Sequence, residues 1–124
     1  RALLPHARIL GAEPKAVDDA ARSMATGVRQ PAVSNPKTWG DGLMTGLGEP
    51  NFALLQANKV EIITCTEAAI LEAARFFLER MKIVVEPSGA TALASIRSIA
   101  EQLTGKRIGM IATGGNTDFT WLTA

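Results

Sequence analysis

The chain has 124 residues, 47% of them apolar and 20% charged, a balance that suits a packed domain and argues against disorder. Thirteen Lys and Arg against twelve Asp and Glu leave a formal charge of +1, too weak a field to recruit nucleic acid or anionic lipid. No apolar run approaches the roughly 20 residues of a membrane-spanning helix, and one cysteine with one histidine excludes a disulfide framework, a cysteine-rich zinc site and a multi-histidine metal site.

The first residue is Arg1, and no signal-peptide pattern follows it. The chain therefore reads as a piece of a longer protein, or its ordered portion. Residues 7–12 (ARILGA) are a short apolar run closed by Glu13-Pro14, and predict a buried strand. Residues 17–25 predict a helix with Asp18 and Asp19 near its positive end. Residues 30–50 hold three prolines and four glycines, which predicts turns and one short helix around 41–47. A connection that long is usually functional or disordered, and its apolar Trp39, Leu43, Met44 and Leu47 favour order.

Residues 60–65 (VEIITC) predict a strand. Thr66 suits an N-cap and Glu67 the first turn of a helix running to about Met81. Its apolar residues Ile70, Ala73, Ala74, Phe77, Leu78 and Met81 recur at three- and four-residue spacing, and Arg75 and Glu79 are spaced to pair on the other face. Residues 83–85 predict a very short strand. Pro87 and Ser88 open the next helix, which stops at Gly105, and 107–112 predict a last strand running into Thr113-Gly114-Gly115-Asn116. The order β-α-loop-β-α-β-α-β, with near-continuous apolar strands, predicts an α/β fold: a parallel sheet flanked by helices.

Open parallel sheets bind ligands at the carboxyl ends of their strands. Three polar clusters fall there: Glu13 to Asp19, Glu86-Pro87-Ser88-Gly89, and Thr113 to Asn116. Each has a structural alternative. Glu-Pro before acids makes a strand exit and a helix start, Ser88 an N-cap, and Thr-Gly-Gly-Asn a turn. Cys65 fits a buried apolar position, His6 an exposed one, and Trp39 a loop anchor. Spacing alone names no reaction.

Four blocks occur in one order: ILGAEPKAVDDA, TWGDGLMTGLGE, ERMKIVVEPSGATALAS and ATGGNTDF. Together they resemble the C-terminal part of the threonine dehydratase and serine racemase family, the fold type II pyridoxal-phosphate enzymes. The resemblance runs from about Arg8 to Trp121. It implies that residues 1–124 are the later part of the large catalytic domain, with the cofactor in a cleft between two α/β domains. It implies pyridoxal 5'-phosphate contacts at Thr113, Gly114, Gly115, Asn116, Glu86 and Gly42, with Thr113 at the pyridine nitrogen and Thr45 near the substrate carboxylate. A neutral hydroxyl does not hold the ring nitrogen protonated as a carboxylate would, which suits elimination. It also implies a divalent-cation site at Glu13, Asp19 and the carbonyl of Val17, a set suited to Mg²⁺ or Ca²⁺.

Trp39-Gly40 stands where the family usually has Ile-Ala, which alters the pocket wall. The family's Schiff-base lysine and glycine-rich phosphate loop are not in this chain; Lys15, Lys37, Lys59, Lys82 and Lys106 lie in other contexts. The activity implied is that of a cytoplasmic L-threonine/L-serine ammonia-lyase, expected to be a homodimer, acting on a small hydroxyamino acid and completed by the missing N-terminal part. A serine-racemase-like enzyme, a catabolic hydroxyamino-acid dehydratase and a non-catalytic split subunit are the alternatives.

Overall fold

The structure, a computed structural model, describes residues 2–124. Two parallel strands form its sheet: β1 (Leu10–Pro14) and β2 (Glu61–Cys65), with Leu10 opposite Glu61 and Pro14 opposite Cys65. A parallel pair needs a long crossover. Here it contains a 3₁₀ turn (Lys15–Val17), α1 (Asp19–Thr26), the segment 27–48 and α2 (Glu49–Ala57). After β2 come α3 (Glu67–Phe76), a π turn (Phe77–Met81) and α4 (Pro87–Ser98), with 3₁₀ turns at Ala100–Leu103 and Thr120–Thr123.

Local chemistry sets several of these boundaries. The Thr66 hydroxyl accepts the Ala69 amide at 3.2 Å and caps α3 as expected. Gly27 ends α1 in the left-handed region, φ 72°, and returns its N–H to the Ser23 carbonyl. Pro50 lies in the first turn of α2, where its missing N–H has no intrahelical partner to lose. That helix fills residues 49–57, for which the sequence reading predicts no element. Its apolar residues do not form one clean stripe, and Leu54 is exposed.

The core lies between α3 and α4, where Ile70, Ala73, Ala74 and Phe77 meet Ala90 and Ala94. The alanines let the two helices approach closely. Cys65, Val85 and Trp121 close the cluster. Cys65 is buried, and burial pushes its thiol pKa up. His6 is exposed and Trp39 is 36% exposed.

The α/β class and the parallel pairing stand as predicted; two strands do not. Segments 83–85 and 107–112 form no ladder among the described residues. Strand character needs a neighbour's amides as well as an apolar run. Here Glu86 N–H donates to the Gly114 carbonyl at 3.1 Å, a single rung just beyond both segments. Ile83, Val84, Ile108 and Ile111 remain exposed. The Arg75–Glu79 pair is also replaced: the Arg75 guanidinium donates instead to the carbonyls of Trp121, Leu122 and Ala124, at 3.2, 3.3 and 2.8 Å. Three carbonyls at the end of a 3₁₀ turn outcompete one solvated carboxylate.

Candidate functional site

The first candidate site forms where α4 begins. A cavity of about 510 Å³ is lined by Thr38, Trp39 and Asp41 on one side, Glu86 and Pro87 at the helix start, and Asn116, Thr117, Asp118, Thr120 and Trp121 on the other. The Glu86 carboxylate accepts the Asn116 amide at 3.0 Å, and the Glu86 amide bonds to Gly114. One residue thus grips the 113–116 turn twice.

Glycines make these approaches possible. Gly114 has φ +75°, and a Cβ there would meet Glu86 Oε1 at 2.3 Å. A Cβ on Gly89 would lie 1.7 Å from the Thr113 carbonyl oxygen. A glycine in the first turn of a helix gives up helix propensity, and it is the sequence signal for this close approach. The expected capping role of Ser88 is overturned. Glu86 occupies the N-cap without a side-chain cap bond. The Ser88 hydroxyl instead accepts the Gly42 amide at 3.0 Å and donates to Asp41 Oδ1 at 3.2 Å. Segment 38–43 is thereby docked on α4.

A second cavity of about 220 Å³ lies beyond the carboxyl end of β1. Ala12, Glu13, Asp19, Thr45 and Gly46 are among its lining. Thr45 is therefore grouped with the carboxylates rather than with Glu86 and Asn116. The Glu13 carboxylate accepts the amides of Ala20 and Ala21 at 3.1 and 2.9 Å, so it caps α1 from a neighbouring strand. Asp19, buried, accepts the Leu47 amide at 2.7 Å and anchors the 45–48 loop. Burial pushes the Glu13 pKa above its ordinary 4.5; the two amide bonds oppose this, and Asp19 and Asp18 add to it. Val17 is buried on the 3₁₀ turn between the two acids. No group of three or more His, Cys, Asp or Glu side chains converges as a metal site among the described residues.

Sequence reading passed over Thr38, Thr117, Asp118 and Trp121 as site residues. Trp121 is 2% exposed, its indole N–H donates to Thr117 Oγ1 at 2.7 Å, and it fixes the far wall of the larger cavity. The Asp118 carboxyl is held below its ordinary pKa by the amide and hydroxyl of Thr120.

A parallel α/β layer with a cavity at a helix start is the arrangement in which α/β proteins commonly take small ligands. Residues 1–114 match the family described as pyridoxal-phosphate dependent enzyme, and the chain belongs to it. It is 42% identical over 119 residues to an L-threo-3-hydroxyaspartate ammonia-lyase of Pseudomonas sp, covering 95% of this chain and 37% of that protein. It is 36% identical to a serine racemase of Schizosaccharomyces pombe, covering 95% and 36%. A solved serine racemase of maize superposes with TM-score 0.87 at 35% identity, over 98% of this chain and 39% of that one. A solved threonine deaminase of T.th. superposes with TM-score 0.89 at 40% identity, over 96% of this chain and 43% of that one. The chain thus spans little more than a third of the length of the curated relatives it matches.

Of the six residues expected at the family's cofactor, Glu86 and Asn116 line the larger cavity, while Thr113, Gly114, Gly115 and Gly42 are not in its lining. The larger cavity has the volume of a small-molecule site. Its polar groups are neutral or acidic, and no lysine lines it. No helix among the described residues is long and apolar enough to cross a membrane.

Proposed function

We propose that residues 1–124 are the C-terminal segment of the large catalytic domain of a pyridoxal-phosphate-dependent ammonia-lyase. Its substrate is a small hydroxyamino acid, L-threonine or L-serine, converted to a 2-oxo acid and ammonia. The observation that carries this reading is the double grip of Glu86 on the 113–116 turn at the rim of the larger cavity, in a chain of this family.

Pyridoxal phosphate, when bound, supplies the electron sink that makes an amino acid's α-proton removable. This chain's residues would shape its seat. Thr113 would offer the pyridine nitrogen a neutral hydroxyl. Gly114, Gly115 and Asn116 would form the turn beside the ring, held by Glu86, and Gly42 would bring backbone close to its face. Thr45 would stand near the substrate carboxylate. The lysine and the phosphate loop would come from the preceding part of the enzyme, which works as a cytoplasmic homodimer.

A divalent cation, Mg²⁺ or Ca²⁺, at Glu13, Asp19 and the Val17 carbonyl belongs to the same reading. Its support is the family resemblance and the place of both acids in the lining of the smaller cavity.

Relatives named serine racemase and L-threo-3-hydroxyaspartate ammonia-lyase support two narrower alternatives, racemisation and a dicarboxylic substrate. The test supplies the intact enzyme with L-threonine, L-serine and L-threo-3-hydroxyaspartate. It measures 2-oxo acid, ammonia and the chirality of the remaining serine. Release of 2-oxo acid and ammonia in equal amounts from threonine or serine is expected. Turnover of hydroxyaspartate alone would replace the substrate, D-serine without 2-oxo acid would replace the reaction, and no turnover of any would refute the reading.

A further inference from the structure

Segment 38–43 carries three residues of the larger cavity's lining, yet little apolar burial holds it. Trp39 is 36% exposed, and Asp41 and Gly42 are exposed. Such a strip keeps its position through polar contacts or not at all. One set of contacts, at Asp41 and Gly42, goes to Ser88 on α4. The other goes to α3. Glu67 Oε2 accepts the Trp39 amide at 2.8 Å and the Thr38 hydroxyl at 3.1 Å. The Thr38 oxygen in turn accepts the Gly40 amide at 3.0 Å. Gly40 is buried against Pro14 at the end of β1.

The other Glu67 oxygen, Oε1, is buried and has no hydrogen-bond partner. A carboxylate used only to favour a helix start would point both oxygens toward water or backbone amides. Leaving one oxygen buried without a donor is unfavourable. Glu67 accepts that cost while a single oxygen ties down two consecutive residues of the strip.

We propose that Glu67 is a positioning residue, a strut from the start of α3 that sets the Thr38–Trp39 wall of the larger cavity. It touches neither cofactor nor substrate. Its acceptor oxygen fixes the Trp39 backbone, and with it the side of the cavity facing Glu86 and Asn116. The part of this inference that concerns the cofactor rests on the reading that the larger cavity holds pyridoxal phosphate.

The test compares Glu67→Ala, Glu67→Gln and the exposed control Glu72→Gln in the intact enzyme. Two readouts are taken. The first is Trp39 emission, obtained by subtracting the same variants carrying Trp39→Phe. The second is the rate at which pyridoxal phosphate leaves, read from its visible absorbance. Glu67→Ala should shift Trp39 emission to the red and speed cofactor loss about tenfold or more, the effect of losing the two hydrogen bonds that one acceptor oxygen makes to the strip. Glu67→Gln keeps an acceptor oxygen and should restore both toward wild type; Glu72→Gln should change neither. Unchanged Trp39 emission in Glu67→Ala would overturn the proposal. Equal damage from Ala and Gln would also overturn it, since charge rather than the strut would then matter. Should Glu67→Ala fail to fold, Thr38→Val removes the hydroxyl from the same strut and must give a smaller shift in the same direction. If the wild-type enzyme holds no pyridoxal phosphate, the cofactor reading fails, and Trp39 emission alone still decides on Glu67.

Discussion

Replacing Gly89 with alanine tests the closest approach in the structure. The added Cβ would stand 1.7 Å from the Thr113 carbonyl oxygen and 2.9 Å from its carbon, whereas contacts of 3.4–4 Å are ordinary. The atoms in the way are backbone, which no rotamer change can clear. Alanine carries an intrinsic advantage of about 1 kcal/mol over glycine inside a helix. Overpacking costs about 1–3 kcal/mol, toward the upper end where the neighbour is rigid. The net expectation is a loss of about 2 kcal/mol, or about thirtyfold in the unfolding equilibrium. The function should suffer more. Relieving the clash moves the 113–116 turn away from Glu86, and a misplacement of about 1 Å at a positioned group costs on the order of 100-fold in turnover. Denaturant unfolding and 2-oxo acid release by the intact enzyme measure the two effects. Gly11→Ala is the control, because its Cβ would meet only the tip of Ile62, at 2.6 Å, which a rotamer change relieves. A Gly89→Ala enzyme as stable and active as wild type would refute the close seating of Thr113 on α4.

Three further expectations follow from other parts of the structure. Thr66→Ala removes the acceptor for the Ala69 amide and should cost about 1 kcal/mol in denaturant unfolding, with Thr66→Ser recovering most of it. Glu13 has a folded-state pKa raised mainly by burial, so its charged form opposes folding; this contribution should ease as pH falls through the raised pKa, and Glu13→Gln should flatten that part of the stability-against-pH curve, whereas an identical curve would show that Glu13 is not desolvated. If a cation sits between Glu13 and Asp19, EDTA should lower the melting temperature of the intact enzyme and millimolar Mg²⁺ or Ca²⁺ restore it, a response that Glu13→Gln with Asp19→Asn should abolish; no response in wild type would leave Glu13 as a helix cap alone.

Much of the fold was legible because period and punctuation agreed. The stripe Ile70, Ala73, Ala74, Phe77 with Thr66 ahead of it predicts α3, and the structure buries those four residues. The strand in 60–65 has β-branched residues and pairs as β2. Where such signals separate, reading fails. α2 has a proline at its start and no single apolar face, so residues 49–57 gave neither helical signal nor strand signal. The strands expected at 83–85 and 107–112 have the right composition, but a ladder requires a second backbone, and composition does not contain it. At the site, Glu86 and the 113–116 turn were legible through glycines and their neighbours. Glu67 was not, because an acid after an N-cap is an ordinary helix start and only the fold brings Thr38 and Trp39 against it.

The charges around the larger cavity limit what this segment can bind by itself. Its lining includes Asp41, Glu86 and Asp118, and neither lysine nor arginine. Asp41 accepts the Gly42 amide and the Ser88 hydroxyl, Glu86 accepts the Asn116 amide, and Asp118 accepts the amide and hydroxyl of Thr120. Each carboxylate therefore serves the shape of the wall, and none needs a ligand to satisfy it. A phosphate brought among three such groups meets repulsion of the same sign. This wall offers a ligand neutral and acidic groups in fixed positions, and no cationic side chain to an anionic end.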